Sequence, residues 1–402
     1  MWSLTAVLEG QVAGLVPEPG LERLETTAQW CRSYLLQGHP ELGRAGPVCP
    51  WCPPSVAHGH FYLMHADVKF CDQASVASDL YRVRDQYLQM PPDSGPDAQF
   101  KTVVYVMSFT DREPDADELR NWMTSLHTTA KPSFLSRGLM LGEFFPNYSA
   151  TGVRSDSFKP LQSPVPMFVI RAMVPFDITF LSNRREYAEA YFAKFAGDSA
   201  KNISDILNIS PKRLAPSKLR SILECLRWYD LQSTSVNGLD IVTGALVKES
   251  GRSRLQQILD ESRTFRPLVT TIVFQPRSFG REVESGSLKH LEWLWQTGHV
   301  LRRAAGIHDF IFRDGDRVVA VISTSNPLEV QRIAQLGESA DWTGAVSGLA
   351  TEAVHNPYAE EWEWDGTEHT SGSDLLNSAY ADLALRESAC EAFNVKGFNA
   401  SL

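Results

Sequence analysis

The sequence predicts an α+β fold of two related halves, each an antiparallel sheet with helices on one face. Three features lead there. Two apolar runs, Leu139 to Phe145 and Met167 to Val174, are too short and too rich in β-formers, Met and Phe for independent helices, and a Gly/Asn/Ser/Pro-rich segment separates them. The stretches FKTVVYVMSFTDREPDADELRNWMTSLH and PLVTTIVFQPRSFGREVESGSLKHLEWLWQ share order, length and an Arg-Glu pair after the strand, a weak internal repeat compatible with duplicated ferredoxin-like units. At 402 residues, 43% hydrophobic and 21% charged, the chain is long enough for two domains with full cores.

Taken in order, MWSLTAVLEGQVAGLV lacks a basic leader and a small-residue cleavage pattern, so it reads as a short docking helix and not a secretion signal. Leu21 to Leu36 follows at helical spacing, with Trp30, Tyr34 and Leu35 as core contacts. A Gly/Pro-rich loop ends in GPVCPWCPP, then come strands His60 to His65 and Val68 to Cys71 and a helix from Ser75 to Gln89. Strand Phe100 to Phe109 and helix Asp115 to His127 lead into the two apolar runs, and RREYAEAYFAKFAG is an amphipathic helix ending at Gly197.

The polar, proline-containing segment from Asp198 to Pro216 marks a boundary. Three regions result: residues 1–197, a second ferredoxin-like domain over 198–340, and a C-terminal arm and helix over 341–402. The second region holds helices Ser217 to Tyr229 and Arg252 to Arg263, a β-rich run Phe265 to Phe279, helix Leu288 to Ala305, strands Asp309 to Arg313 and Arg317 to Thr324, and helix Pro327 to Leu336. The arm carries Trp362 and Trp364 and closes in a helix from Ser373 to Phe393.

A net charge of −10 with no basic run argues against nucleic acid, and no stretch reaches the roughly 18 apolar residues of a membrane span. Six cysteines in so long a chain do not form a secreted disulfide framework, so a reducing cytoplasm is expected, with a small-molecule substrate and a homodimer. No Gly-rich phosphate loop, nucleophile elbow or H-E-x-x-H is present, which disfavours kinases, NTPases, Rossmann dehydrogenases, α/β-hydrolases and zinc proteases.

Cys49-Pro50-Trp51-Cys52 leaves three readings open. It is a redox dithiol if the first thiolate sits at the N-terminus of a helix started by the prolines, though a Gly/Pro-rich loop and no apolar strand precedes it; a structural zinc site if two of His58, His60, His65 and Cys71 join it; or a pair of small buried residues. His299 and Arg302 share a helix face, an arrangement suited to an iron ligand beside a group that pairs with a haem propionate. Arg171 sits inside an apolar run, where a guanidinium needs solvent, a carboxylate or a bound anion.

Pro47, Cys49, Pro50 and Trp51, then Gly138, Leu139, Met140, Gly142, Phe144 and Pro146, then the string Phe158 to Pro175 with its SPVPM-IR-MVP core, resemble an uncharacterised actinobacterial family associated with biosynthetic clusters. That family is in turn distantly similar to the YqcI/YcgG group, and in the second half Phe274 to Arg277 (FQPR) resembles that group's pattern. The resemblance implies a haem-dependent oxygenase acting on a nitrogen or carbon of an amino acid or related metabolite, with Arg171 anchoring a substrate carboxylate or a haem propionate. Phe145 stands where the family pattern has a histidine, which leaves His60, His299 or a cysteine as ligand, or a chain without haem. A non-haem binding or scaffolding protein and a cofactor-free enzyme using a pocket between the halves are the remaining readings.

Overall fold

The computed structural model describes residues 1–208, 214–265, 269–276, 285–306, 309–323 and 349–354, with Leu328, Arg332, Ile333 and Leu336. The fold is α+β. Two compact units divide at Ser199, and the stretch ending at Ile222 returns to the first. Among the described residues, no helix is long and apolar enough to cross a membrane.

The first unit runs β1 (Trp2–Ser3), α1 (Leu4–Leu8), α2 (Gly20–Trp30), α3 (Cys52–Ala57), β2 (Phe61–Val68), α4 (Gln73–Gln89), β3 (Thr102–Phe109), α5 (Ala116–Leu135), β4 (Leu139–Phe144), β5 (Met167–Ala172), α6 (Ile178–Leu181) and α7 (Arg185–Phe195). Its sheet has the order β1-β2-β3-β5-β4. β2 and β3 are parallel, with α4 in the crossover that a parallel pair requires, and the other neighbours are antiparallel.

β3 is buried from Thr102 to Ser108, and both of its faces are covered. Val103, Tyr105 and Met107 pack under Val76, Leu80, Met123 and Leu126 of α4 and α5. Val104 and Val106 pack under Leu24, Ala28 and Cys31 of the N-terminal segments. Helices therefore cover both faces, and the expectation of a one-sided sheet is corrected: the first 60 residues supply a second layer. β2 is continuous across the two strands read around it from sequence.

Asp115 caps α5 with a reciprocal Glu118 contact, and the helix runs on through Pro132, well beyond the expected stop at His127. Trp30 and Tyr34 pack against the core and Leu35 lies within it, as the helical spacing implied.

The second unit begins with α8 (Ser199–Asn208), where the sequence reading placed a linker; Ile203 and Leu207 are fully buried one turn apart, so two apolar anchors suffice. α9 (Pro216–Trp228) is divided between the units, belonging to the first up to Ile222; then come β6 (Ser235–Val236), β7 (Leu239–Asp240), α10 (Lys248–Phe265), β8 (Val269–Pro276), α11 (Leu288–Ala304), β9 (Phe310–Asp314), β10 (Arg317–Ser323) and β11 (Leu349–Val354). The sheet order is β11-β8-β10-β9, antiparallel throughout. Residues 349–354 thus form an edge strand inside the segment read as an arm. Trp362, Trp364 and the helix from Ser373 to Phe393 lie outside the described residues, as does most of the helix from Pro327 to Leu336.

The repeat seen in the sequence has a structural counterpart. β3-α5-β4-β5 and β8-α11-β9-β10 both place their strands in the order first, third, second, all antiparallel. The fourth strand differs, being the parallel β2 in one unit and the antiparallel β11 in the other. The expectation of two ferredoxin-like halves narrows to this shared β-α-β-β core.

In the second unit, buried Asp240 accepts from the Thr243 N–H and Oγ1–H, each at 2.7 Å, and from Arg313 Nη1 at 2.8 Å. This fixes the turn on which α11 rests. A Cβ on Gly298 would lie 2.7 Å from Thr243 Cβ and 2.9 Å from its carbonyl oxygen. Alanine normally favours a helix over glycine by about 1 kcal/mol, but here overpacking reverses the sign. Gly298→Ala is expected to lower stability by roughly 1–3 kcal/mol in urea denaturation.

Candidate functional site

The loop carrying Cys49 is stitched to the end of the first helical layer by two backbone bonds, Val48 N–H to Gln37 O at 2.7 Å and Cys49 N–H to Leu35 O at 3.1 Å. Cys52 N–H reaches Cys49 O at 3.3 Å and opens α3, with Pro53 and Pro54 in its first turn. Proline is tolerated there because first-turn N–H groups have no helical partner. The prolines do start a helix, but it opens at Cys52, so the first thiol, Cys49, lies before the N-cap at Trp51, and among the described residues no strand leads into the motif. α3 is only six residues long, so discrete donors and charges matter more here than a helix dipole.

Cys49 is half-buried and Cys52 is buried. The Cys52 thiol, the Trp51 and Cys52 backbone N–H groups and the Arg171 guanidinium each favour the thiolate form of Cys49. Cys49 is drawn down to about 6, first by the Cys52 S–H bond and then, against burial, by the Trp51 N–H and Arg171. The same bond, with burial, holds Cys52 well above its usual value. Cys31 is also pushed up, by burial and then by the charge of Cys49. Arg44, bonded to Val48 O at 3.0 Å, is a second cation close enough to sense Cys49.

Arg171 lies on β5, paired in register with Thr102 and Met140. Its guanidinium grips Asp177 bidentately, Nη1 to Oδ2 at 2.7 Å and Nη2 to Oδ1 at 2.5 Å, and also donates to Ala172 O. Asp177 is 1% exposed and also accepts the Val174 N–H at 2.8 Å. The reading of Arg171 as a free anchor for a carboxylate or propionate is corrected: the chain supplies the counter-ion six residues on. Asp177, Arg44 and Cys31 escaped the sequence reading. Only Asp177, in the turn closing the R-A-M-V-P-F-D run, left a signal there.

The other candidates lie apart from this centre. The His60 ring stacks on His58 with centroids 6.1 Å apart, and its Nδ1 is buried without a partner. His65 Nε2 pairs with Ser108 Oγ at 2.8 Å, His58 stacks on Phe100, and Cys71 bonds Asp111. Among the described residues, no group of three His, Cys, Asp or Glu side chains is placed to hold a metal ion.

In the second unit His299 and Arg302 do share a face of α11, with Nδ1 and Nη2 3.4 Å apart. Arg302 also donates to Asn208 Oδ1 at 2.9 Å, and burial, then Arg302 and Arg303, bring His299 down to about 3. Arg171 is held by a carboxylate, while among the described residues Arg302 spends only its Nη2 on Asn208 and His299, and Arg302 Nε and His299 Nε2 are buried without a partner. A groove lined by Val7, Leu8, Gly10, Glu22, Glu25, Thr26 and Gln29 has carboxylates and no imidazole or thiol.

No curated protein matches the chain. Solved structures similar to parts of it include a sensory box/GGDEF family protein from Caulobacter crescentus, at 18% identity over 38% of this chain and 99% of that one, with a TM-score of 0.30. The GGDEF domain of FimX from Pseudomonas aeruginosa matches at 17% identity over 38% and 96%, with a TM-score of 0.28. The coiled coil and GGDEF domain of DgcB from Caulobacter crescentus matches at 14% over 50% and 95%, with a TM-score of 0.29. Likenesses this weak define neither fold nor activity. Residues 24–205, which include the Cys49 motif and the Arg171–Asp177 pair, match the model of a domain of unknown function, DUF6875.

Proposed function

We propose that the first unit is a thiol–disulfide oxidoreductase with Cys49 as nucleophile and Cys52 as resolving thiol, working on a small-molecule disulfide in a reducing compartment such as the cytoplasm. One observation carries the reading: a half-buried Cys-x-x-Cys thiol just before the helix that starts at Cys52, whose thiolate is favoured by its own motif and by the charge of Arg171. Such surroundings favour the thiolate, which is the form that attacks.

In the first step, Cys49 S⁻ forms a bond to one sulfur of the substrate disulfide. The S–S bond breaks, and the departing thiolate takes up a proton. Cys52 then loses its proton to solvent and attacks the Cys49 sulfur. The second substrate sulfur leaves as a thiol, and a Cys49–Cys52 disulfide remains. Two electrons pass from the dithiol to the substrate, and an external dithiol restores the reduced pair. The raised Cys52 keeps its proton until Cys49 is consumed in the mixed disulfide, which then removes the charge that held it up.

Alkylation of the reduced full chain by iodoacetamide, read by peptide mass, is expected to mark Cys49 first with a midpoint near pH 6, the value to which Cys49 is drawn. Cys52→Ala removes the leading donor and raises that midpoint by about one unit or more. Arg171→Met raises it less. A Cys49 that titrates like an ordinary thiol, or a pair that diamide fails to close, would sink the reading.

Asp177→Asn separates charge from stability. Loss of the carboxylate leaves a guanidinium without its counter-ion, destabilising the fold by about 3 kcal/mol in urea denaturation. The unneutralised Arg171 then lowers the Cys49 midpoint further, opposite in sign to Arg171→Met.

A further inference from the structure

The opposite face of the first sheet holds a second set of reactive groups. His127 and Lys131 stand one turn apart on α5, which packs on β4 and against α7. Glu143 projects from β4 on the side of Leu139 and Leu141, and is 3% exposed. Its Oε1 accepts the Tyr148 hydroxyl and lies 3.4 Å from His127 Nδ1. Its Oε2 is buried with no partner.

His127 Nε2 lies 2.9 Å from Leu141 O. A carbonyl oxygen only accepts, so Nε2 carries the proton and Nδ1 turns a lone pair to the carboxyl group. Burial, then the charge of Lys131, brings His127 down to about 3, so the ring is neutral. Two acceptors face each other unless the carboxyl group holds a proton between them. Burial also raises Glu143 in that direction.

Lys131 is 7% exposed. Its Nζ sits 5.0 Å from the Tyr187 ring centroid, and among the described residues no hydrogen bond or ion pair reaches it. Buried ammonium groups ordinarily acquire a carboxylate within contact or lose their charge. Burial brings Lys131 down to about 8; Glu143 and Asp177 hold it up, while Arg184 and Arg171 press it further down. The half-exposed Arg184, 5.3 Å over the same Tyr187 ring, brings positive charge to the same aromatic wall; its Nη1 lies 3.9 Å from Glu186 Oε1, a loose exposed pair that a substrate carboxylate would have to displace.

We propose that Lys131 is a nucleophilic amine that forms an imine with a small 2-oxo acid, with Glu143 as the proton carrier and Arg184 meeting the substrate carboxylate. The Nζ lone pair bonds to the carbonyl carbon as the C=O π pair moves to oxygen. Protonated Glu143 delivers its proton to that oxygen, giving a carbinolamine. The nitrogen then gives up its two protons, one to the hydroxyl, which leaves as water, and one to Glu143. Amine and ketone thus become imine and water, with no change of oxidation state and Glu143 as it began. Tyr148 and His127 hold the carboxyl group in place and do not touch the substrate.

The test is borohydride trapping of the full chain with pyruvate, mapped by peptide mass. With Lys131 at about 8 against 10.5 for an ordinary lysine, its free amine near neutral pH is favoured about three-hundred-fold, and its share of adduct exceeds that of the average lysine. Lys131→Arg abolishes that adduct. Glu143→Gln slows its formation about a hundred-fold, the usual scale for general acid–base help. Arg184→Gln weakens trapping of pyruvate but not of acetone, which a purely structural role would not produce. Adducts spread evenly over the lysines of the wild-type protein would overturn the proposal without any variant. So would an unchanged rate in folded Glu143→Gln, checked by circular dichroism.

Discussion

A guanidinium placed inside a β-sheet has to bring its counter-ion with it, and much of the first unit is arranged around that requirement. Arg171 sits on β5, between β3 and β4, and the chain turns at once after the strand to return Asp177 to it. The carboxylate also holds the Val174 N–H, so the same two oxygens satisfy the cation and pin the turn leading into α6. Buried ion pairs of this kind often contribute little net stability against an apolar replacement, but they punish every arrangement that separates them. The pair therefore specifies the position of β5 more than it strengthens it, and the remaining positive field of Arg171 reaches Cys49.

Periodicity made much of this fold legible. The β3-α5-β4-β5 unit and its counterpart in the second half could be read from apolar runs and a strong helix start at Asp115, because strand and helix periods report which side chains face inward. Periodicity reports faces and not partners. The fully buried β3 has no alternation to show that both of its sides are covered, so the helices read near the N-terminus could not be assigned to a second face. α5 passes Pro132 without stopping, and α8 was hidden in a polar segment because two buried anchors are enough for a short helix.

The site was legible to the same degree. Cys49 and Cys52 announce themselves as a motif, and the prolines after Cys52 mark the helix start. Their neighbour Arg171 stood out only as a charge in an apolar run, and nothing in the order of residues joins it to the motif. Lys131, Glu143 and His127 left still less trace. A lysine on an amphipathic helix usually marks the solvent side, and only the packing of α5 between β4 and α7 makes this one an inner residue.

The sheet of the first unit has one more effect. Phe168 and Ile170 point to the layer of α4 and α5, while Met167 and Val169 point to the layer that holds Cys49 and Cys52. A thiolate and a neutral amine sharing one chamber would compete for any electrophile, and an aldehyde meeting both would be captured as a sulfur–nitrogen ring. The hydrogen-bonded sheet keeps the two groups on opposite layers, yet the charge of Arg171 is felt on both sides, by Cys49 and by Lys131.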